Sequence, residues 1–376
     1  MSTALCHGCA VAPPTRSPLL TWTTVLPVVA LLVLAATWGR HLGTVLTVVV
    51  ALVLAGAVLA AVHHAEVVAH RVGEPFGSLV LAVAVTIIEV ALIVTLSVSG
   101  GSETATLARD TVFAAVMITC NGIVGLSLLL GARRYGFAVF NAEGSGAALA
   151  TVATVATLSL VLPTFTTSRP GPEFSGSQLA FAAVASVALY GAFVLTQTVR
   201  HRDFFLPVAT PGAVDSEDEH AEPPTTRATL TSLLLLLVAL VTVVGLAKVE
   251  SPAIESGVAA VGFPQSFVGV VIALLVLLPE TIAASRAALR NRVQISLNLA
   301  FGSALASISL TIPVIAVASI WLEGPLLLGL GATQMVLLAL TVVVGALTVA
   351  PGRGTRLQGA VHLVLLAGYL FLAVNP

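Results

Sequence analysis

Apolar runs of about 18 to 25 residues, parted by short polar breaks, recur along the whole chain, and each is long enough to cross a bilayer. They fall near residues 20–38, 42–63, 77–99, 109–131, 147–167 and 177–199, and after a longer polar break near 229–248, 265–286, 293–320, 325–349 and 357–374. Hydrocarbon offers no partner to a free amide, so such runs specify helices whose backbone bonds close within each segment. The expected fold is therefore an all-α polytopic membrane protein with about 11 transmembrane helices. A soluble globule is excluded, because only 9% of the 376 residues are charged where soluble domains carry about a quarter. The division around 293–325 is the least sharp: Pro313 can kink one helix, or Gly324-Pro325 can separate two.

Basic residues orient the spans, since loops rich in Lys and Arg stay in the cytoplasm. With the amino terminus inside, the inner loops hold Arg16, Arg71, Arg133, Arg134, Arg200, Arg202, Arg227, Arg286, Arg290, Arg292, Arg353 and Arg356, and the outer side keeps Arg40, Arg109, Arg169 and Lys248. This asymmetry predicts a multi-pass protein of the cell inner (plasma) membrane, with a cytoplasmic amino terminus and an external carboxyl terminus. The expected division is 1–41 as a tail with one extra helix, 42–199 as a five-helix repeat, 200–228 as a linker and 229–376 as a second five-helix repeat. An odd number of helices per repeat forces the two repeats into opposite orientation. The linker carries Asp215, Glu217, Asp218, Glu219 and Glu222; its acidity suits a solvated cytoplasmic connector, or a collector of cations.

Two acids stand out against this background. Glu89 and Glu280 each sit inside an apolar run, one in each half of the chain. A carboxylate at that depth costs several kcal/mol, so it marks a functional site, and one acid per repeat points to a cation site at the repeat interface. Thr86 lies three residues before Glu89, on the same helix face. Pro279 precedes Glu280 and is expected to disrupt the helix there, freeing carbonyl oxygens. Carbonyls and carboxylates are the hard ligands that calcium takes. The helix after each acid carries a small or polar patch, Thr119-Cys120-Asn121-Gly122 through Ser127 in one half and Asn298 through Gly302-Ser303 to Ser307 in the other. Asn121 and Ser303 are expected to present oxygen to the cation, whereas Gly125, Gly302 and Ala306 read as close-packing positions.

Weaker signals lie nearby. Glu74 precedes the first acidic helix and either caps it or gates the site. His63, His64 and His70, around Glu66, lie at an expected cytoplasmic boundary, where imidazoles sense pH or are simply solvated. Asp110 beside Arg109 reads as an interfacial charge, Cys6-His7-Gly8-Cys9 as a reduced tail, and Cys120 as a packing residue. No basic patch interleaved with aromatics calls for nucleic acid, and neither Gly-x-Ser-x-Gly nor His-Glu-x-x-His points to an enzyme. No cofactor is expected; the partners are the lipid bilayer and the transported ions.

The run from His63-His64-Ala65-Glu66 through Gly73-Glu74-Pro75-Phe76-Gly77 to Glu89 resembles bacterial calcium/proton exchangers of the calcium/cation antiporter superfamily. The second block, Leu278-Pro279-Glu280 with Asn298 to Ser307 and Thr311-Ile312-Pro313, is similar to that family's second signature repeat. The resemblance implies one extra helix plus two inverted five-helix repeats. It places the essential acids on Glu89 and Glu280 and the polar helix patches on Asn121 and Gly302-Ser303. The implied activity is secondary active exchange of Ca2+ for H+ by alternating access, with both acids shared by cation and protons. Na+ or K+/H+ antiport at the same residues is the alternative, and a channel or membrane-embedded enzyme stands further off. One departure is that Thr86-Ile87-Ile88 precedes Glu89 where many relatives have small or polar residues; this half also lacks the proline found before Glu280, so the two half-sites are not chemically equivalent.

Overall fold

A computed structural model describes residues 21–40, 42–73, 76–100, 105–208, 224–321 and 325–375. Among these, eleven helices follow one another: α1 (Trp22–Thr37), α2 (Thr44–Val72), α3 (Phe76–Gly100), α4 (Leu107–Tyr135), α5 (Ala142–Thr164), α6 (Gly176–Arg200), α7 (Thr226–Ala260), α8 (Phe267–Leu289), α9 (Val293–Ala318), α10 (Ala332–Val349) and α11 (Arg356–Val374). Nine of them are long and apolar enough within the described residues to cross a membrane. The fold is an all-α membrane bundle of one extra helix and two inverted five-helix repeats.

Several boundaries differ from the expected spans for local reasons. α2 continues nine residues past position 63, because Ala65 and Ala69 sustain helix across the histidine-rich stretch. It stops at Gly73, whose φ of +76° suits glycine, and whose N–H closes on the Ala69 carbonyl at 2.9 Å. α7 runs for 35 residues through Pro252, about 52 Å at the usual rise. α9 passes through Pro313 without a break, and residues 325–331 are non-helical before α10. Side-chain caps fix other starts: Asn141 accepts from the N–H groups of Glu143 and Gly144 at α5, and Ser175 and Thr355 form capping boxes with Gln178 and Gln358.

Both ends of the bundle are tied by contacts between the halves. At the arginine-rich end, Arg71 donates to the Thr226 hydroxyl at 3.4 Å, Tyr135 to the Leu289 carbonyl at 2.9 Å and Arg356 to the Ala132 carbonyl at 3.4 Å. A two-stranded ribbon joins β1 (Ala138–Val139) to β2 (Arg353–Gly354) there. At the other end, Thr164 donates to the Leu330 carbonyl at 2.8 Å and Leu327 N–H to the Ala105 carbonyl at 3.2 Å.

Helix pairing follows the inverted symmetry. α2 packs on α7, α3 crosses α9 as α4 crosses α8, and α6 lies on α9 as α11 lies on α4. The buried apolar residues form two cores. The smaller joins α1, α2, α7 and one face of α3, and the larger is built on α4, α5 and α9. α8 serves both, with Val268, Ile272 and Val276 in the smaller core and Val270, Ala273, Leu277, Ala284 and Ala288 in the larger. The three- and four-residue steps within each set put the two cores on opposite faces of α8.

Candidate cation-binding site

Glu89 and Glu280 line one cavity of about 360 Å³. Glu89 lies on α3 one turn after Thr86, and both side chains are buried. On α8, Glu280 continues the face that carries Leu277 and Ala284 into the larger core. Ser303, Gly302, Ala306 and Asn298 from α9 line the same space, with Tyr190, Gln197 and Thr198 from α6 opposite. The cavity extends to Arg202 and Pro207, which follow α6 at the arginine-rich end.

The two acids are held differently. The Ser307 hydroxyl donates to Glu89 Oε1 at 2.5 Å. Oε2 of Glu280 is buried with no hydrogen-bond partner among the described residues. A buried carboxyl oxygen without a donor is costly unless a proton or cation meets it. Among the described residues there is no cluster of three or more His, Cys, Asp or Glu. Charge for a bound cation would come from these two acids, and neutral oxygen from Thr86, Ser303 and Asn298, a donor set of hard oxygens.

Some expected residues lie elsewhere. Asn121 sits in a π-helical segment of α4, Ile118–Ile123, and is fully buried away from the cavity. Its Nδ2 donates to Thr341 Oγ1 at 2.9 Å and its Oδ1 accepts from His362 Nδ1 at 3.1 Å. His362 Nε2 in turn accepts from Thr348 Oγ1 at 3.1 Å. These bonds tie α4 to α10 and α11 and leave the Asn121 amide turned from the acids. Pro279 does not break α8, which runs unbroken from Phe267 to Leu289; the carbonyl freed by a proline is four residues back, at Leu275, which is not among the cavity-lining residues.

Gly125 is a close-packing position as expected: a Cβ there would lie 2.9 Å from His362 Cβ and 3.0 Å from the Gly359 carbonyl. Gly302 is not, since a Cβ there would meet nothing within 4 Å, and Ala306 lines the cavity beside it. Asp110 lies in the first turn of α4 and is buried within the protein, paired with Arg109 at 2.8 Å and approached by Gln334 Nε2 at 3.4 Å.

The histidine stretch is divided by its helix. His64 is buried and donates from Nε2 to the Thr23 carbonyl at 2.9 Å, fastening α1 to α2, whereas His63 and His70 are exposed. Glu74, the tail cysteines and the acidic residues of the linker lie outside the described residues.

Two features escaped the sequence reading. His362 is a titratable residue inside the last apolar run, so the reasoning that selected the glutamates also points to it. Arg202 reaches the cavity because the chain after α6 folds back over it, and no local pattern announces that.

Comparison with known proteins agrees with this architecture. Residues 42–199 and 231–375 match the family described as sodium/calcium exchanger protein. The chain is 47% identical to protein y4hA of Sinorhizobium fredii over 94% of this chain and 96% of that one. It is 38% identical to the sodium-potassium/proton antiporter ChaA of Escherichia coli over 92% and 94%. The solved structure of native YfkE shares its fold, with a TM-score of 0.72 at 16% identity, covering 94% of this chain and 100% of YfkE.

Proposed function

This chain belongs to the sodium/calcium exchanger protein family, a family of cation transporters rather than enzymes, and we propose that it exchanges calcium for protons at Glu89 and Glu280. The observation that carries the reading is the meeting of these two carboxylates, one from each five-helix half, in a single cavity. Two carboxylates match the charge of one divalent cation, and the neutral oxygens of Thr86 and Ser303 complete a hard donor set. Ligands must shed their protons to hold a metal ion, so cation and protons compete for the same oxygens. That competition, with access alternating between the two membrane faces, is antiport.

In this reading the repeats occupy 42–199 and 229–376, and the arginine-rich end faces the cytoplasm of a plasma-membrane protein. The cavity then takes its cation from the cytoplasm, and protons returning from outside drive the cation out. Asn121 serves as a brace of the larger core rather than a ligand in the arrangement described. Sodium or potassium is the second cargo for the same acids, favoured by the likeness to a sodium-potassium/proton antiporter.

The test uses purified protein in vesicles that hold a pH-sensitive dye, with calcium, sodium and potassium added in turn. Proton movement on calcium addition supports calcium/proton exchange. A response to sodium or potassium alone replaces the cargo and keeps the site. Folded protein that moves no protons with any of the three refutes antiport.

A further inference from the structure

The cation pathway carries one fixed charge of the wrong sign. Arg202 is the only cationic side chain among the described residues that line the cavity of Glu89 and Glu280. It begins the short 3-10 turn Arg202–Phe205 directly after α6. The turn is anchored on three sides. The Phe205 carbonyl accepts from Asn298 Nδ2 at 2.7 Å. The Phe205 ring meets Phe193 edge-on with centroids 5.7 Å apart, and the Phe204 carbonyl lies so close to Gly144 that no side chain fits between them. Arg202 itself is exposed and forms no ion pair among the described residues. The turn is thus fixed at the mouth, and Arg202 projects from it beside the equally exposed Asp203, with which it forms no ion pair.

We propose that Arg202 is a specificity-determining residue, a tethered positive charge at the cavity mouth that disfavours divalent cations relative to monovalent ones. The inference rests on the antiport reading above. A positive potential at the mouth lowers the local concentration of a cation by a Boltzmann factor whose exponent is proportional to the ion's charge. The factor for a divalent ion is therefore the square of that for a monovalent ion, whatever the distance or dielectric. The two carboxylates favour a divalent ion and Arg202 opposes it, which narrows the margin by which calcium outcompetes potassium. Arginine suits this role because its charge persists at every physiological pH.

The experiment compares wild type with R202Q, R202M, R202K and the neighbouring control R200Q in dye-loaded vesicles at low ionic strength. The apparent constants for K+ and Ca2+ are measured, each as carried ion or as inhibitor of the other. In R202Q and R202M the K+ constant should fall about twofold and the Ca2+ constant about fourfold, the squared relation that charge dictates. R202K should keep wild-type values, R200Q should shift both constants less than R202Q because Arg200 does not line the cavity, and the effect of R202Q should shrink at high salt as the Debye length contracts. Equal shifts for the two ions, no shift, or a loss of maximal rate without a change in either constant would overturn the proposal. Wild-type vesicles without proton movement would instead refute antiport itself, and this inference would fall with it.

Discussion

The Ser307 hydroxyl on α9 donates a 2.5 Å hydrogen bond to Oε1 of Glu89 on α3. One acid of the site is thereby tied across the boundary between the two halves, while Glu280 keeps a buried oxygen without a partner. The inverted repeats supply equivalent acids in unequal surroundings. A bundle that exposes its site to one membrane face at a time must have such inequality in any single state.

Removing that tie should weaken the site without dismantling it. Ser307→Ala is expected to raise the apparent KM for the transported cation roughly tenfold, about 1.4 kcal/mol, as for loss of a bond to a charged group. Cation titrations of vesicle exchange check this, and an unchanged KM would mean the bond plays no part in the binding state.

Charge removal should be far more severe. Glu89→Gln and Glu280→Gln, made separately, should each lower exchange by roughly 100-fold or more with little change in melting temperature. Glutamine keeps the shape of the acid but neither carries the proton nor balances the cation. Either variant exchanging at the wild-type rate removes that residue from the site.

Competition between protons and cation sets the pH dependence and its sign. Raising the pH on the loading side strips protons from the shared oxygens, so the apparent KM falls. Where both acids begin protonated, a divalent ion displacing two protons lowers KM by up to about 100-fold per pH unit, and an ion displacing one proton by up to about tenfold. The measured slope counts the protons exchanged, and a KM indifferent to pH would separate the proton path from the cation site.

Two glycines on the packed helices should respond in opposite ways. At Gly359 a Cβ would lie 2.7 Å from Leu129 N and 2.8 Å from the Gly125 carbonyl, backbone atoms that cannot step aside. Gly359→Ala should force α11 from α4 and cost about 1–3 kcal/mol, read as a lower melting temperature. Gly302→Ala meets open space inside α9 and should raise the melting temperature slightly, since alanine favours helix over glycine by about 0.5–1 kcal/mol. A stable Gly359→Ala protein would contradict the close approach of the two helices.

The spans were legible because lipid demands continuous apolar helix, and Glu89 and Glu280 because burial of a carboxylate in such a run has few structural reasons. Helix ends were less so. His63 to Val72 reads as a polar boundary, yet alanines and a glycine cap carry α2 through it. The fate of Asn121 depended on His362, 241 residues away along the chain, and no local spacing reveals a bond of that span. Gly302 and Gly125 occupy similar small-residue patches, but only the neighbour supplied by tertiary packing decides which is a contact and which a cavity wall.

The paired helices α2 and α7 contain 29 and 35 residues, about 43 and 52 Å of helix, against a hydrocarbon core of about 30 Å. Their apolar runs, 42–63 and 229–248, match that core, so each helix ends in polar turns that stand beyond it. Both belong to the smaller core, which shares α3 and α8, the acid-bearing helices, with the larger one. The two helices run in opposite directions as members of inverted repeats, so their projecting carboxyl-terminal turns leave the bundle at opposite faces, and the pair that rests against α3 and α8 reaches into water on both sides of the membrane.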